Sequence, residues 1–207
     1  MKCTVVIPSV RNPSSGVLRT LQSIDEVAGR PIERIIVVLN GFSDAAVVET
    51  PNLQNYPVEL LHSSRGANSA RNRGLSDVLS EVVVFTDDDV TVGPTWPGPM
   101  LAEYQRPEVA AVGGAVIAEG AARTKTEHLS PSHRQALSLV DEPPNVTTLT
   151  NGQFLIGANM SFRTSLLRAV GGFDEWLGRV GRTLLSNDEK RPQTELRQKG
   201  FLILHVP

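Results

Sequence analysis

Apolar residues along this chain fall into two spacings that take turns. Four short runs are continuous. Thr4-Val5-Val6-Ile7 is stopped by Pro8, and Ile35-Ile36-Val37-Val38-Leu39 by Asn40-Gly41. Val58-Glu59-Leu60-Leu61 is weaker, and Val82-Val83-Val84-Phe85 leads through Thr86 into Asp87-Asp88-Asp89. Unbroken β-branched runs of this kind fit strands covered on both faces, as in parallel sheets. Between them the spacing turns helical. Val17, Leu18, Leu21 and Ile24 follow a Pro13-Ser14-Ser15 start, and Ala67, Ala70, Arg71, Leu75, Val78 and Leu79 form a second stripe. Strand–helix–strand alternation predicts an α/β fold: a doubly wound, mostly parallel central sheet with helices on both faces and right-handed crossovers.

The second half is less regular. Val109 to Ala118 reads as a strand broken at Gly113-Gly114. Glu119 to Asn151 is polar and carries Pro131, Pro143 and Pro144. It reads as a long loop with one short helix near Ser132–Leu139, or as a lid, since loops of that length are usually functional. Phe154 to Phe162 looks extended, Thr164 to Val170 helical. Leu196 belongs to a last helix and Phe201 to Val206 to a last strand. No internal repeat or low-complexity tract interrupts the chain.

Length and charge narrow the class. The chain has 207 residues, 40 % of them hydrophobic and 20 % charged. A domain of this size buries roughly 70 % of its unfolded surface and needs no disulfide or metal staple. One domain is expected. With 20 basic and 22 acidic residues the formal charge is −2, which gives no global attraction for nucleic acid or an acidic membrane. The single cysteine, Cys3, excludes a disulfide framework. No apolar run approaches the ~20 residues of a membrane span, and the apolar core of the N-terminus is too short for a signal peptide. The expected location is the cytoplasm, with peripheral contact at the inner face of a membrane left open.

In open parallel sheets, ligands collect at the carboxyl ends of the strands. Pro8-Ser9, Asn40-Gly41 and Asp87-Asp88-Asp89 all follow strands and should open onto one edge. The helix starting near Gly66-Ala67 points its positive end there too. Arg71 lies one turn into that helix on the core-facing stripe; it either reaches a partner or snorkels out to solvent. Arg65 and Arg73 do not share its face and read as surface charges. The aspartates are the strongest local signal. Two carboxylates ~4 Å apart repel by about 1 kcal/mol in water and about 4 kcal/mol at an effective dielectric near 20. Either solvent at a turn offsets that repulsion, or a divalent cation such as magnesium or manganese does, held by carboxylates and substrate phosphates. Cation, helix N-terminus and arginine together suggest a diphosphate. No Gly-x-x-x-x-Gly-Lys-Ser/Thr loop and no Gly-x-Gly-x-x-Gly follows the first strand, which argues against a P-loop enzyme and a standard dinucleotide fold.

Five segments, in order, resemble the family 2 glycosyltransferases of the GT-A fold. Val5-Val6-Ile7-Pro8-Ser9 resembles the family's opening strand, and Ile36-Val37-Val38-Leu39-Asn40-Gly41 its second. Gly66-Ala67-Asn68-Ser69-Ala70-Arg71-Asn72-Arg73-Gly74 is similar to its Gly-x-x-x-Ala-Arg-Asn-x-Gly helix start, and Phe85-Thr86-Asp87-Asp88-Asp89 to its Asp-x-Asp motif. Gly157-Ala158-Asn159-Met160-Ser161-Phe162-Arg163, then Gly171-Gly172-Phe173-Asp174-Glu175, resembles the acceptor-side segment.

The resemblance implies a nucleotide-diphosphate sugar donor and Mn2+ or Mg2+. Asp89 would coordinate the metal, and Asp87 the metal or the donor ribose. Pro8, Ser9, Asn40, Gly66 and Asp88 would line the nucleotide-sugar pocket, with Arg71 facing the base or diphosphate. Residues 1–118 would form the donor half and 119–207 the acceptor half, with Gly157, Ala158 and Asn159 on the acceptor side. The acceptor would be a glycan, a lipid-linked or another hydroxyl compound, as in polysaccharide biosynthesis. The family usually inverts the anomeric centre with a carboxylate base. Counting back from Gly200 reaches Asp188-Glu189, the family's acidic pair with its types exchanged, and Glu189 is the favoured base with Asp188 next. The alternative is that both acids favour a helix N-terminus, and Pro192 is tolerated only in a first helical turn.

Some features depart from the family. Leu39 stands where an acid often contacts the base, and the chain stops at Val206-Pro207 where relatives usually continue, often with a histidine near the metal. That implies a C-terminally short version. His205 is expected to pack in the last strand, His128 and His133 to face solvent, and His62 to sit at the surface or in the pocket. Trp96 and Trp176 could stack on a sugar, though anchoring a core or loop is the commoner role. Two other readings compete: a non-catalytic nucleotide-sugar-binding or scaffold domain, and a sugar nucleotidyltransferase. For the latter, Arg11-Asn12-Pro13-Ser14-Ser15-Gly16 is a poor glycine-rich loop.

Overall fold

A computed structural model of the chain describes residues 1–9, 15–27, 29, 31–41, 51–64, 66–120, 122, 126, 128–130, 133–134, 137–141, 143–176 and 189–207. Strands β1 (Cys3–Ser9), β2 (Ile32–Asn40), β3 (Val58–Ser63) and β4 (Val82–Phe85) alternate with helices α1 (Ser15–Glu26) and α2 (Ala67–Asp77). The second half holds α3 (Gly98–Ala102), β5 (Val109–Gly113), the two-residue β6 (Thr147–Thr148), β7 (Met160–Arg163), α4 (Thr164–Ala169), α5 (Lys190–Gln198) and β8 (Leu202–His205). All eight strands form one sheet in the order β3-β2-β1-β4-β7-β5-β8-β6. The β3-β2-β1-β4 half is parallel. β7 then runs antiparallel between β4 and β5, β8 lies parallel to β5, and β6 antiparallel to β8.

The continuous apolar runs are explained by burial on both faces. Val5, Ile7, Ile35, Val37, Val82 and Val84 pack in one core with Val17, Leu21 and Ile24 of α1. Their neighbours Val6, Ile36, Val38, Val83 and Phe85 pack in a second core with Ala70 and Leu75 of α2, Leu167 of α4 and Leu196 of α5. The period-2 alternation of a strand sends successive residues to opposite layers.

Several sequence expectations are corrected in detail. Pro8 does not stop β1, which continues to Ser9. Thr86 N donates to Val6 O, so the even-numbered residues of β1 turn their backbone toward β4. That ladder ends at Val6–Phe85, so the N–H that Pro8 lacks would have had no strand partner. Leu18 is exposed and Leu79, beyond the end of α2, is 88 % exposed. Thr20 and Ser23 take the buried face of α1 instead, with Ser23 Oγ donating to Thr20 O and accepting from Val92 N. Phe154–Phe162 is not one extended run: Gly157–Asn159 forms a 3-10 turn before β7. Pro192 falls in the first turn of α5, where a backbone N–H has no intrahelical acceptor. Of the helix expected near Ser132–Leu139, His133 and Arg134 are helical and Leu137-Ser138 a turn, while residues 132, 135 and 136 lie outside the described residues. Among the described residues no helix is long and apolar enough to cross a membrane.

Candidate active site

The strand ends that sequence reasoning singled out converge on one edge. At the end of β2, the Asn40 side-chain oxygen accepts from Gly66 N at 2.6 Å. Gly66 has φ 140°, a backbone state that side chains with a Cβ rarely adopt. Asn40 therefore fixes the peptide from which α2 springs, and with it the direction of the N–H groups of the first turn. At the end of β1, Ser9 Oγ donates to Asp88 Oδ2 at 2.6 Å, which ties the aspartate loop to the same edge. Thr86 Oγ1 donates to Ala158 O at 2.9 Å, joining that loop to the 3-10 turn.

The three aspartates diverge. Asp88 faces Ser9. Asp87 Oδ1 lies 4.0 Å from Arg71 Nη2. Asp87 and Asp89 both line a cleft of about 690 Å³ that opens on the β4-β7-β5 side, walled by the loops after β4 and β5 and by Asn159. Among the described residues no three His, Cys, Asp or Glu side chains gather to hold a metal ion. The donor set is instead two hard carboxylates opening on one space, which suits Mg2+ or Mn2+ completed by phosphate oxygens.

Arg71 does not snorkel outward. It is 4 % exposed and donates to Asn68 Oδ1 at 3.1 Å and to Glu189 Oε1 at 3.2 Å. Its guanidinium stacks 5.6 Å from the Phe173 ring centre. A buried arginine needs such partners, because desolvating its charge is costly. Gly157 makes the approach feasible. A Cβ there would stand 2.3 Å from Arg71 Nη2 and 2.6 Å from Glu189 Oε1, so only a residue without one leaves room for the pair. The segment Gly172–Glu175 is clamped onto α2: Asn72 exchanges hydrogen bonds with Phe173 N and O, Asn68 donates to Asp174 O, and Ser69 Oγ donates to Glu175.

Glu189 stands at the N-terminal cap of α5, and the structure brings it together with Arg71, Asp87 and Gly157. Its partner in sequence, Asp188, lies outside the described residues, as do Arg65 and most of the Arg11–Gly16 segment. Leu39 is fully buried in the core under β2. His205 is buried in β8, where burial pushes its pKa below the ordinary histidine value; His128 and His133 are exposed, and His62, at the end of β3, is half-buried. Trp96 anchors the cleft wall, its Nε1 donating to Asn159 Oδ1 at 3.1 Å, whereas Trp176 is 92 % exposed. Burial pushes the Cys3 thiol up to about 12, so it is a core residue and no nucleophile.

Sequence reasoning missed Gln193. Fully buried in α5, it accepts from Leu155 N and donates to Leu155 O and Glu189 O. It therefore fastens the approach to Gly157 against the start of α5. A glutamine in an otherwise polar stretch carries no periodic signal that distinguishes it.

This sheet, with a parallel half ending in an aspartate loop and a mixed half behind it, defines a GT-A-type fold. The mannosyltransferase PcManGT of Pyrobaculum calidifontis, solved with GDP-Man and Mn2+, shares it: the TM-score is 0.65 at 20 % identity, covering 100 % of this chain and 54 % of that one. The chain belongs to glycosyl transferase family 2, whose pattern matches residues 4–171. It is 32 % identical over 176 residues to a pre-mycofactocin glycosyltransferase of Mycobacterium tuberculosis, covering 83 % of this chain and 35 % of the relative. It is 28 % identical over 165 residues to a glucosyl-dolichyl phosphate glucuronosyltransferase of Haloferax volcanii, covering 78 % and 52 %. The chain thus spans between a third and about half of the length of these curated relatives.

Proposed function

We propose that this chain binds a nucleoside-diphosphate sugar and transfers its sugar to an acceptor hydroxyl with inversion, in a single displacement. One observation carries the reading. Asp87 meets the Arg71–Glu189 pair on one side and shares an open cleft with Asp89 on the other. The family's curated members named above are glycosyltransferases, and the P. calidifontis relative was captured with GDP-Man and Mn2+.

Residues 1–118 serve the donor and 119–207 the acceptor, with the loops after β4 and β5 bordering both. Pro8, Ser9, Asn40 and Gly66 border the nucleotide, and the first turn of α2 offers N–H groups to the diphosphate. Asp89 and Asp87 hold Mn2+ or Mg2+, which when bound neutralises charge on the departing diphosphate. Glu189, or Asp188 beside it, takes the proton of the acceptor hydroxyl as the new O–C1 bond forms. The C1–O bond to phosphate breaks and its electron pair leaves with the nucleoside diphosphate. A positioned base of this kind contributes roughly 10²–10⁴-fold. Gly157, Ala158 and Asn159 frame the acceptor approach.

A second reading, nucleotide-sugar binding without turnover, is favoured by the Arg71 contact to Glu189, because it engages Glu189 Oε1 with a guanidinium at 3.2 Å. Two measurements separate the readings. Mn2+ with UDP-glucose or GDP-mannose should raise the melting temperature cooperatively, and the wild type should hydrolyse one donor of a nucleotide-sugar panel while Asp89→Ala does not. No shift with any donor and metal refutes both readings. A shift without any hydrolysis leaves the binding module.

A further inference from the structure

We propose that the cleft beside Asp89 receives an uncharged acceptor with an apolar alkyl or aryl body, a hydroxyl-bearing aglycone, and neither a glycan chain nor an anionic lipid phosphate. The inference rests on the transferase reading above and names the chemistry of its second substrate. Three observations carry it. The first is the lining. Val90, Val92, Trp96, Val116, Ile117 and Leu137 face the cleft, and Ile117 and Leu137 are 60 % and 57 % exposed. Exposed aliphatic groups facing one concavity are the usual surface of a site for an apolar ligand.

The second is charge. Asp87, Asp89 and Glu119 are the ionisable groups among the described lining residues, and no Lys, Arg or His is with them. These carboxylates would repel a phosphate placed among them. The third is that Trp96, the one aromatic residue of the described lining, is 8 % exposed with its indole N–H committed to Asn159. At that exposure it leaves little ring face on which a pyranose could lie. The walls are held in place. Val116 and Val140 exchange backbone hydrogen bonds at 2.8 Å, bringing the Ile117 and Leu137 loops side by side. Asn159 Nδ2 donates to Ala115 O, and Thr91 Oγ1 to Glu119.

The sheet order separates this space from the donor. Pro8, Asn40 and Gly66 lie on the β3-β2-β1 side of the aspartate loop, and the cleft on the β7-β5 side.

The probe experiment uses the full chain carrying Trp176→Phe. The chain has two tryptophans, so Trp96 is then the sole indole emitter. Octyl glucoside below its micellar range, free glucose and octyl phosphate are titrated with Mn2+ and UDP or GDP present, following Trp96 emission. Octyl glucoside should saturate the signal, glucose should leave it unchanged, and octyl phosphate should bind at least about tenfold more weakly. Ile117→Asp and Leu137→Asp should each weaken octyl glucoside about tenfold while the nucleotide–Mn2+ thermal shift stays at the wild-type value. Glucose or octyl phosphate binding as tightly as octyl glucoside overturns the proposal, as does octyl glucoside binding that neither variant alters. No response to any probe while the nucleotide–Mn2+ shift persists overturns the acceptor chemistry alone. Loss of that shift in the parent protein overturns the transferase reading beneath it.

Discussion

Arg71 and Glu189, 118 positions apart in the chain, meet at 3.2 Å across the space left by the missing side chain of Gly157. The pair links α2, which carries the donor-side residues, to α5, which carries the proposed base. Gly157→Ala puts a methyl group where the guanidinium and carboxylate already are. Overpacking of this kind costs about 1–3 kcal/mol, and displacing a reacting group by a fraction of an ångström costs roughly tenfold or more in rate. The variant should melt several degrees lower and lose at least tenfold in kcat, with donor KM little changed. A kcat equal to wild type would show that the Arg71–Glu189 geometry does not bear on turnover.

Arg71→Lys keeps the charge but not the fork that reaches Asn68, Asp87 and Glu189 together. Lysine is not equivalent at such a site. Breaking a buried ion pair outright costs about 3–5 kcal/mol, and since Glu189 is partly open to solvent the loss for Arg71→Ala should fall at or below the low end of that range. Denaturant melts should order the proteins wild type, Arg71→Lys, Arg71→Ala, and donor affinity should follow the same order. Donor affinity unchanged in both variants would detach Arg71 from the donor site.

Asp87 and Asp89 share the cleft but differ in their neighbours, because only Asp87 stands near Arg71. Removing Asp89 should abolish the Mn2+-dependent part of the nucleotide thermal shift and leave the protein without metal as stable as wild type. Removing Asp87 should weaken the same shift and also lower the melting temperature in the absence of metal, because Arg71 loses a counter-charge. Calorimetric titration of Mn2+ into nucleotide-saturated protein checks both. Wild-type Mn2+ affinity in Asp89→Ala would move the metal site elsewhere.

Much of this arrangement is visible in the chain itself, and the reasons are local. Val5 to Ile7, Ile35 to Leu39 and Val82 to Phe85 announce themselves because both sides of each strand are buried, and each is followed at once by the polar residues that reach the site edge. Arg71 stands out because a charge on a buried stripe demands a partner. The failures are non-local. Helical spacing cannot say where a buried face stops, so Leu18 and Leu79 are counted inward although they face solvent. The Gly157 turn is held by Thr86, in the loop after β4, through Ala158 O. Gln193 goes unmarked in the sequence because its partners are the backbone of Leu155, 38 positions away, and that of Glu189. No spacing rule joins Arg71 to Glu189.

Gln193 is accordingly a test of whether the far wall of the site is held from α5. Gln193→Leu fits the volume but leaves Leu155 N, Leu155 O and Glu189 O without their side-chain partner. Stranding buried polar groups costs about 1–3 kcal/mol. Stability should drop by that amount and kcat should fall several-fold as Glu189 loosens, while donor KM, set on the β1–β2 side, stays within twofold. A stability loss with kcat intact would confine Gln193 to a structural role.

Acidification offers a check that does not depend on any substrate. Burial lowers the pKa of His205 below the ordinary histidine value, so the folded state disfavours its proton and the unfolded state takes it up first. Stability is then fully present above the unfolded histidine value and is lost as the pH falls below about 6.5 toward the lower folded pKa. The direction is opposite to that of a histidine held by a carboxylate, which gains stability on acidification. Melting temperatures of the wild type should decline through this window, and His205→Asn should remove that part of the decline. An equal slope in both proteins would assign the acid sensitivity to other groups and free β8 from any part in it.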